Sequence, residues 1–394
     1  MKKKVTLLSL IVYVLTSFST SQAAEKIDFL FRKGIKLDLL VGTDIAYCKD
    51  DSTFYYCSTT LIKRNDSVLV ELRKCNLYNE NKGSYIVNLP KSESILNWSI
   101  IAISVRNENV AVLCDSLYIF NTTDGTVKTN NRLGCQSVSW ISDRMLLLSK
   151  NYNSHPLSDS IKSKIILFDS KTNTIIKYIK PEFDYIVYTH FVNNFVDVKM
   201  NKIAFSNTIP YEITIYDTDN LVVSDKIRDS SLRNTESCIN KIHAIHVESR
   251  KEHNAKKYYY KLKILDSTVN RIEKIHFLND SVLLVSKKFP MSGYERRLID
   301  IWEYKNSIWS KIIDNQMYTT ETPNKDYLIT QESLPLDLTF SSKILCDNKY
   351  IYIVNTKAPP AMNINNKELD QYYDGFYEEN ELNYYIWVYQ WEVK

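Results

Sequence analysis

Short apolar runs and short polar turns follow one another in the same order about every 50 residues, the range in which repeats mean propellers or solenoids. The unit is a polar residue that opens a turn, a spacer, and an apolar strand. It occurs as Asp51-Ser52-Thr53-Phe54-Tyr55-Tyr56, Asn109-Val110-Ala111-Val112-Leu113-Cys114, Asp143-Arg144-Met145-Leu146-Leu147-Leu148 and Asn201-Lys202-Ile203-Ala204-Phe205-Ser206. Three more copies open at Asn240, Asp280 and Asn348. A second strand ending in an acid or amide follows at Leu117–Asn121, Lys164–Asp169, Glu212–Asp217 and Lys261–Asp266. The turns after it, such as Thr122–Gly125 and Ser170–Asn173, are rich in residues that bond their own backbone or tolerate positive φ. A third strand comes next, at Thr174–Ile179, Leu221–Ile227 and Arg271–Ile275, and a further one precedes each unit, as at Cys135–Ile141 and Leu338–Cys346. In the sixth unit, Leu298–Tyr304 and Ile308–Ile313 are the second and third strands.

Seven four-stranded antiparallel meanders predict an all-β chain folded as a seven-bladed β-propeller. A lone meander cannot bury both its faces, whereas radial stacking buries each sheet between two neighbours and leaves only short edges. Six or eight blades fit the same pattern, and the least regular unit spans 231–275. A β-helix, the competing repeat fold, has shorter and more glycine-rich rungs. The last unit ends on Tyr384–Val393 without an outermost strand, while Ile35–Val41 precedes the first unit and has no blade of its own. Pairing the two is expected to close the ring. No long apolar stripe of helical period appears, so little helix is expected.

The first 23 residues read as a secretory signal peptide. Lys2, Lys3 and Lys4 precede the apolar run Val5–Leu15, and Ser21-Gln22-Ala23 supplies small residues at the cleavage site. Residues 24–394 then form one domain. No later segment is apolar enough to span a bilayer, so a secreted or periplasmic protein is expected. Without the signal lysines the chain is almost neutral, which argues against general nucleic-acid binding.

Seven cysteines, Cys48, Cys57, Cys75, Cys114, Cys135, Cys238 and Cys346, leave an odd count. Export permits disulfides, but most of these residues sit at apolar strand positions that suit buried thiols equally. No C-x-x-C, G-x-S-x-G, H-E-x-x-H or Walker A sequence occurs, and no metal, cofactor or catalytic residue is assigned. His243 and His246 are the one close histidine pair; on a strand they would point to opposite faces. His155, His190 and His276 show no triad spacing.

The long segments are where a binding site is expected. They are Asn151–Ser163, Arg250–Lys256, Phe289–Arg296 and Lys357–Asn383 between second and third strands of a blade, and Asn315–Pro335 between blades. In a meander all of these fall on one end. The most unusual is Glu368–Glu381, where Glu368, Asp370 and Asp374 interleave with Tyr372, Tyr373, Phe376 and Tyr377. Tyr294 and Arg296, on the neighbouring basic loop, complete the candidate binding set. Such a mixture suits a basic protein partner, a sugar or a hard cation, although the spacing is not that of an EF-hand.

The hydrophobic and turn pattern of nearly the whole mature chain resembles exported bacterial β-propellers of the quinoprotein-like and YVTN-like kind. The Gly-His…Trp-Asp pair of WD40 repeats, the Gly-Gly of kelch, the sialidase box and the Gly- and Trp-rich docking motifs of quinone-binding propellers are all absent, and seven glycines could not supply them. No functional residue carries over, and no bound quinone is expected. The reading is an exported, non-catalytic propeller that binds a protein through loops on one rim, with a carbohydrate-binding or glycan-active propeller as the alternative.

Overall fold

A computed structural model describes residues 27–37, 45–48, 52–63, 67–76, 81–90, 102–114, 116–130, 135, 137–150, 164–179, 196–199, 201–207, 211–229, 240–241, 244–245, 247–248, 261, 271–291, 294–321, 327–328, 341–355 and 384–393. The chain begins with β1 (Ile27–Leu37) and then lays down antiparallel sheets in sequence. The first holds β2 (Ile45–Cys48), β3 (Thr53–Lys63), β4 (Ser67–Asn76) and β5 (Asn81–Pro90). The second holds β6 (Ala102–Arg106), β7 (Asn109–Leu113), β8 (Leu117–Asn121) and β9 (Val127–Asn130). The third holds β10 (Ser137–Trp140), β11 (Met145–Lys150), β12 (Lys164–Asp169) and β13 (Thr174–Ile179). The fourth holds β14 (Val196–Lys199), β15 (Lys202–Asn207), β16 (Glu212–Asp217) and β17 (Val223–Arg228). The fifth holds β18 (Arg271–Phe277), β19 (Val282–Met291), β20 (Tyr294–Lys305), β21 (Ile308–Glu321) and the short β22 (Tyr327–Leu328). The sixth runs β23 (Ser341–Cys346), β24 (Tyr350–Asn355), β25 (Tyr384–Val393), and takes β1 as its outer strand. Positions A to D below run from the innermost strand outward.

The described residues thus form a propeller of six blades, not seven. The unit expected over 231–275 is not a blade. Its described residues at 240–241, 244–245, 247–248 and 261 are helical, and Arg271–Phe277 is the innermost strand of the fifth sheet instead of an outer strand of its own. The apolar run of this stretch is too short for its periodicity to separate strand from helix. Two expected irregular loops are also strands. Met291 pairs with Tyr294 and Pro290 with Glu295, so Phe289–Arg296 is a tight hairpin. Residues 315–321 extend β21, which pairs onward with β22.

Six apolar clusters fill the gaps between successive sheets. Ala46, Tyr55 and Leu72 of the first sheet meet Val110, Tyr118 and Phe120 of the second. Leu113 and Ile119 meet Leu146, Leu148 and Phe168; Leu147 and Ile165 meet Ile203 and Phe205; Ile213 and Ile215 meet Phe277, Leu283 and Trp302. Leu284 and Ile301 meet Ile353, Trp387 and Trp391, and Tyr352, Ile386 and Val388 return to Ile45, Phe54 and Tyr56 of the first sheet. Burying one such side chain contributes about 1.5–3 kcal/mol, so any one interface outweighs a single turn or ion pair. The B and C strands face two interfaces at once. In β24, Ile351 and Ile353 serve one and Tyr352 and Val354 the other, which is why these strands read as continuous apolar runs.

β1 pairs antiparallel with β25, from Ile27 opposite Val393 to Leu37 opposite Tyr384. The observed strand starts well before the expected Ile35–Val41. Its register shifts between Phe31 and Lys33, and one extra residue moves every following side chain to the other face. Ile27 and Phe29 accordingly pack toward the fifth sheet, but Ile35 and Leu37 toward the first.

The turns at one end share a plan. Asn121 Oδ1 accepts from the N–H groups of Thr123 and Asp124; Asp169 and Asp217 make the matching pairs with Lys171 and Thr172 and with Asp219 and Asn220. Four residues on, the backbone takes positive φ at Gly125, Asn173 and Leu221. This is the acid-or-amide turn signal of the sequence, with Leu221 as an exception held by its packing on the interface of sheets three and four. In five of the six sheets an N–H at the end of strand C donates to a carbonyl of the A–B turn: Thr122 to Glu108, Ser170 to Arg144, Thr218 to Asn201, Tyr304 to Ser281 and Trp391 to Lys349.

Candidate functional site on the innermost strands

An innermost strand has one edge without a sheet partner, and its backbone groups must be satisfied otherwise. Side chains from other sheets do so. The Trp140 N–H donates to Ser104 Oγ (3.1 Å) and Lys343 Nζ to the Ile103 carbonyl (3.2 Å), the latter from the sixth sheet to the second. These two sheets are not neighbours in the ring, so Lys343 reaches across its centre.

The densest such group joins sheets four, five and six. Asp197 and Lys199 lie on β14, His276 on β18 and Cys346 on β23. Asp197 Oδ2 accepts from the Phe277 N–H at 2.6 Å and lies 3.1 Å from His276 Nδ1. Lys199 Nζ donates to the Leu278 carbonyl at 3.2 Å and sits 3.5 Å from Cys346 Sγ. The Cys346 thiol in turn donates to the Phe277 carbonyl. Lys199, His276 and Cys346 are buried, and His276 Nε2 has no hydrogen-bond partner.

The charges are coupled. Burial alone would depress the His276 pKa, but the Asp197 carboxylate and the Cys346 sulfur outweigh it and carry the imidazole up to about 10. Burial likewise opposes ionisation of Cys346, yet the His276 and Lys199 cations bring its thiol below the usual range. Cys75, buried with no such partner, is pushed up to about 11. An aspartate, an imidazole and a thiol are the parts of a nucleophilic triad. Here the imidazole bonds its carboxylate through Nδ1, and the thiol's own short bond goes to the Phe277 carbonyl.

A second polar group lies between sheets four and five. Asp229, Asp300 and Asp314 bring carboxylate oxygens within 4.8 Å of one another, the arrangement a hard cation would take. The Lys311 ammonium fills it: it bonds Asp229, approaches Asp314 Oδ1 at 2.8 Å and Asp300 Oδ2 at 3.4 Å. Lys287, fully buried, contacts Asp300 Oδ2 at 2.6 Å, and the Tyr211 hydroxyl donates to the same oxygen at 2.9 Å. The trio is a salt-bridge network, and no cation is assigned to it.

Of the binding residues expected from sequence, Glu368, Asp370, Tyr372, Tyr373, Asp374, Phe376 and Tyr377 lie outside the described residues, in the connection from β24 to β25. Tyr294 and Arg296 are in strand β20, paired with Met291 and Phe289. Cys48, Cys75, Cys114, Cys135 and Cys346 are buried thiols; Cys57 lies on β3 opposite Leu72, and Cys238 lies outside the described residues. So do His243 and His246, and helix at 244–245 and 247–248 removes the strand premise used to separate them.

The axial group carried a signal in the repeat. Asp197 and His276 stand four residues before the turn residues Asn201 and Asp280, and Lys199 and Cys346 stand two before Asn201 and Asn348. Asp197 and His276 meet on adjacent innermost strands, and Lys199 and Cys346 meet from sheets four and six. A supposed blade between sheets four and five kept these columns apart.

Asp300→Ala should cost about 3–5 kcal/mol by leaving Lys287 buried without its carboxylate, and Lys287→Met with Asp300→Leu should recover most of that. Denaturant midpoints decide; a double variant as unstable as the two singles summed would remove the pairing argument. Because the His276 pKa is raised on folding, its contribution is fully present below about pH 6.5 and fades as the pH climbs toward 10. Asp197→Asn should flatten this decline in thermal-melt series from pH 6 to 10. Equal slopes for both proteins would mean that Asp197 does not hold the proton on His276.

No family model and no curated protein matches this chain. Among solved structures it is similar to a member of the DUF4221 family from Bacteroides vulgatus, with a TM-score of 0.50, 9% identity, and 94% of this chain covering 100% of that one. A candidate exported protein of Bacteroides fragilis matches with a TM-score of 0.47 and 12% identity over 89% of this chain and 99% of that one. Hydrazine synthase of Kuenenia stuttgartiensis matches with a TM-score of 0.41 and 11% identity over 86% and 84%. At these identities the likeness extends to the fold, a β-propeller of four-stranded antiparallel blades. No helix among the described residues is long and apolar enough to cross a membrane.

Proposed function

We propose that this chain is an exported, non-catalytic propeller that holds a protein partner on the end where strands B and C, and successive blades, are joined. The observation carrying this reading is the inequality of the two ends. A–B and C–D turns are short and tied to one another, as between Thr122 and Glu108. The long connections 151–163, 180–195, 229–270 and 356–383 all belong to the other end. A rigid scaffold with its variable length gathered on one rim is the usual arrangement for recognition. The acidic and aromatic residues Glu368, Asp370, Tyr372, Tyr373, Asp374, Phe376 and Tyr377 suit a basic protein surface, and Tyr294 and Arg296 belong to a connection of the same kind, between second and third strands.

Tagged protein recovered from the extracytoplasmic fraction of its host should carry a partner, and replacing Glu368, Asp370 and Asp374 by Ala together with Tyr372 and Tyr377 by Ser should release it without moving the thermal midpoint. Recovery of the same proteins with the altered loop would overturn the assignment. We infer further that β1 latches the ring, since it supplies the outer strand of the sheet that also holds the last strand. A chain lacking 27–37 should melt at lower temperature and regain its midpoint when the peptide of those residues is added. An unchanged midpoint in the truncated chain would rule the latch out.

A further inference from the structure

The axial group poses a chemical question that the partner-binding reading leaves untouched. The groups that satisfy innermost-strand backbone here also place an imidazole and an ammonium beside a thiol. The thiols at Cys48, Cys75, Cys114 and Cys135 sit among apolar interface residues, at 2–3% exposure. Cys346 differs from them in two ways. It retains 7% exposure, and it has Lys199 Nζ at 3.5 Å and His276 beside it. His276 is buried with its Nδ1 on Asp197, and its Nε2 makes no close hydrogen bond. Reactive cysteines are those next to cations with some access, and buried apolar ones are inert.

We propose that Cys346 is a modification site for small peroxides, with His276 and Lys199 as its activating groups and Asp197 as the residue that positions His276. A peroxide of hydrogen-peroxide size suits the site because the group is nearly enclosed. The thiolate sulfur attacks one peroxide oxygen; the S–O bond forms as the O–O bond breaks. Sulfur is oxidised by two electrons to sulfenic acid, and the peroxide is reduced to water. The departing hydroxide takes a proton from the Lys199 ammonium or the His276 imidazolium, which recovers from solvent the proton the thiol lost on ionising. The net change is thiol plus hydrogen peroxide to sulfenic acid plus water. The charged groups facing the sulfur are Lys199 on β14, His276 on β18 and, through the ring, Asp197 on β14.

Position explains why the event would matter to the fold. Cys346 donates to the Phe277 carbonyl and so ties the sixth sheet to the fifth. An added oxygen must be accommodated at that seam, between two blades that meet through Leu284, Ile301, Ile353 and Trp387.

The test uses the full-length folded protein, hydrogen peroxide as the oxidant and dimedone to trap sulfenic acid, with labelling of each cysteine peptide followed by mass spectrometry. Cys346 should label at least about tenfold faster than Cys75 at neutral pH, and its rate should level off at lower pH than that of Cys75. His276→Gln and Lys199→Met should each slow Cys346 severalfold and leave Cys75 unchanged. Should either variant fold poorly, the wild-type comparison of the two pH profiles still decides. Labelling of Cys346 no faster than Cys75, or a rate indifferent to both substitutions in folded protein, would overturn the proposal.

Discussion

Each sheet of this protein has two apolar faces, and neither can be left in water. That constraint governs the rest of the structure. The central strands β8, β12, β16, β20 and β25 place alternate side chains on opposite interfaces, so among the described residues both faces of these strands are covered. Outer strands show the change at once: β13 is mostly exposed and β17 half so. With both faces committed, the only arrangement that satisfies all sheets is a closed circuit of interfaces, and the six clusters form one. The extra residue in β1 follows from the same demand. Without a register shift, Ile27 and Leu37 could not reach different neighbours.

Buried charge is placed where the circuit has polar backbone to satisfy or a partner ion at hand. Lys287 and Asp300 are enclosed together, and Arg144 bonds the buried Asp169 that also caps its own turn. Asp347 accepts from the Tyr47 and Tyr352 hydroxyls and joins the sixth sheet to the first. Desolvating such groups is costly unless every one finds its counterpart, so each network restricts which neighbour a sheet accepts. The axial quartet of Asp197, Lys199, His276 and Cys346 belongs to this class by position and departs from it by chemistry, because one of its members is a thiol.

The two ends of the ring divide the labour. One is made of turns whose hydrogen bonds repeat from blade to blade, which holds strands A to D in fixed register. The axial quartet lies toward this end, with Cys346 opposite Ile351 and Phe277 opposite Leu283 next to their A–B turns. The other end carries the long connections. The proposed recognition end and the axial quartet therefore lie at opposite ends of one scaffold.

Much of the architecture was legible beforehand. Strands β8, β12, β13, β16 and β25 have the limits that their apolar runs and turn residues imply, because a two-residue period bounded by Asn or Asp leaves the backbone little choice. The turn signal held even in detail, down to positive φ at Gly125 and Asn173. The number of blades was not legible. Residues near 240 offer an apolar run that suits a strand or a helix, and only the packing of β18 against β14 and β15 decides that sheets four and five are direct neighbours. The grouping of Asp197, Lys199, His276 and Cys346 was hidden for the same reason. Each stood in its proper column of the repeat, but which columns touch depends on which blades adjoin. Local pattern determined what each segment would become; adjacency around the axis, a property of the closed ring alone, decided which side chains would meet.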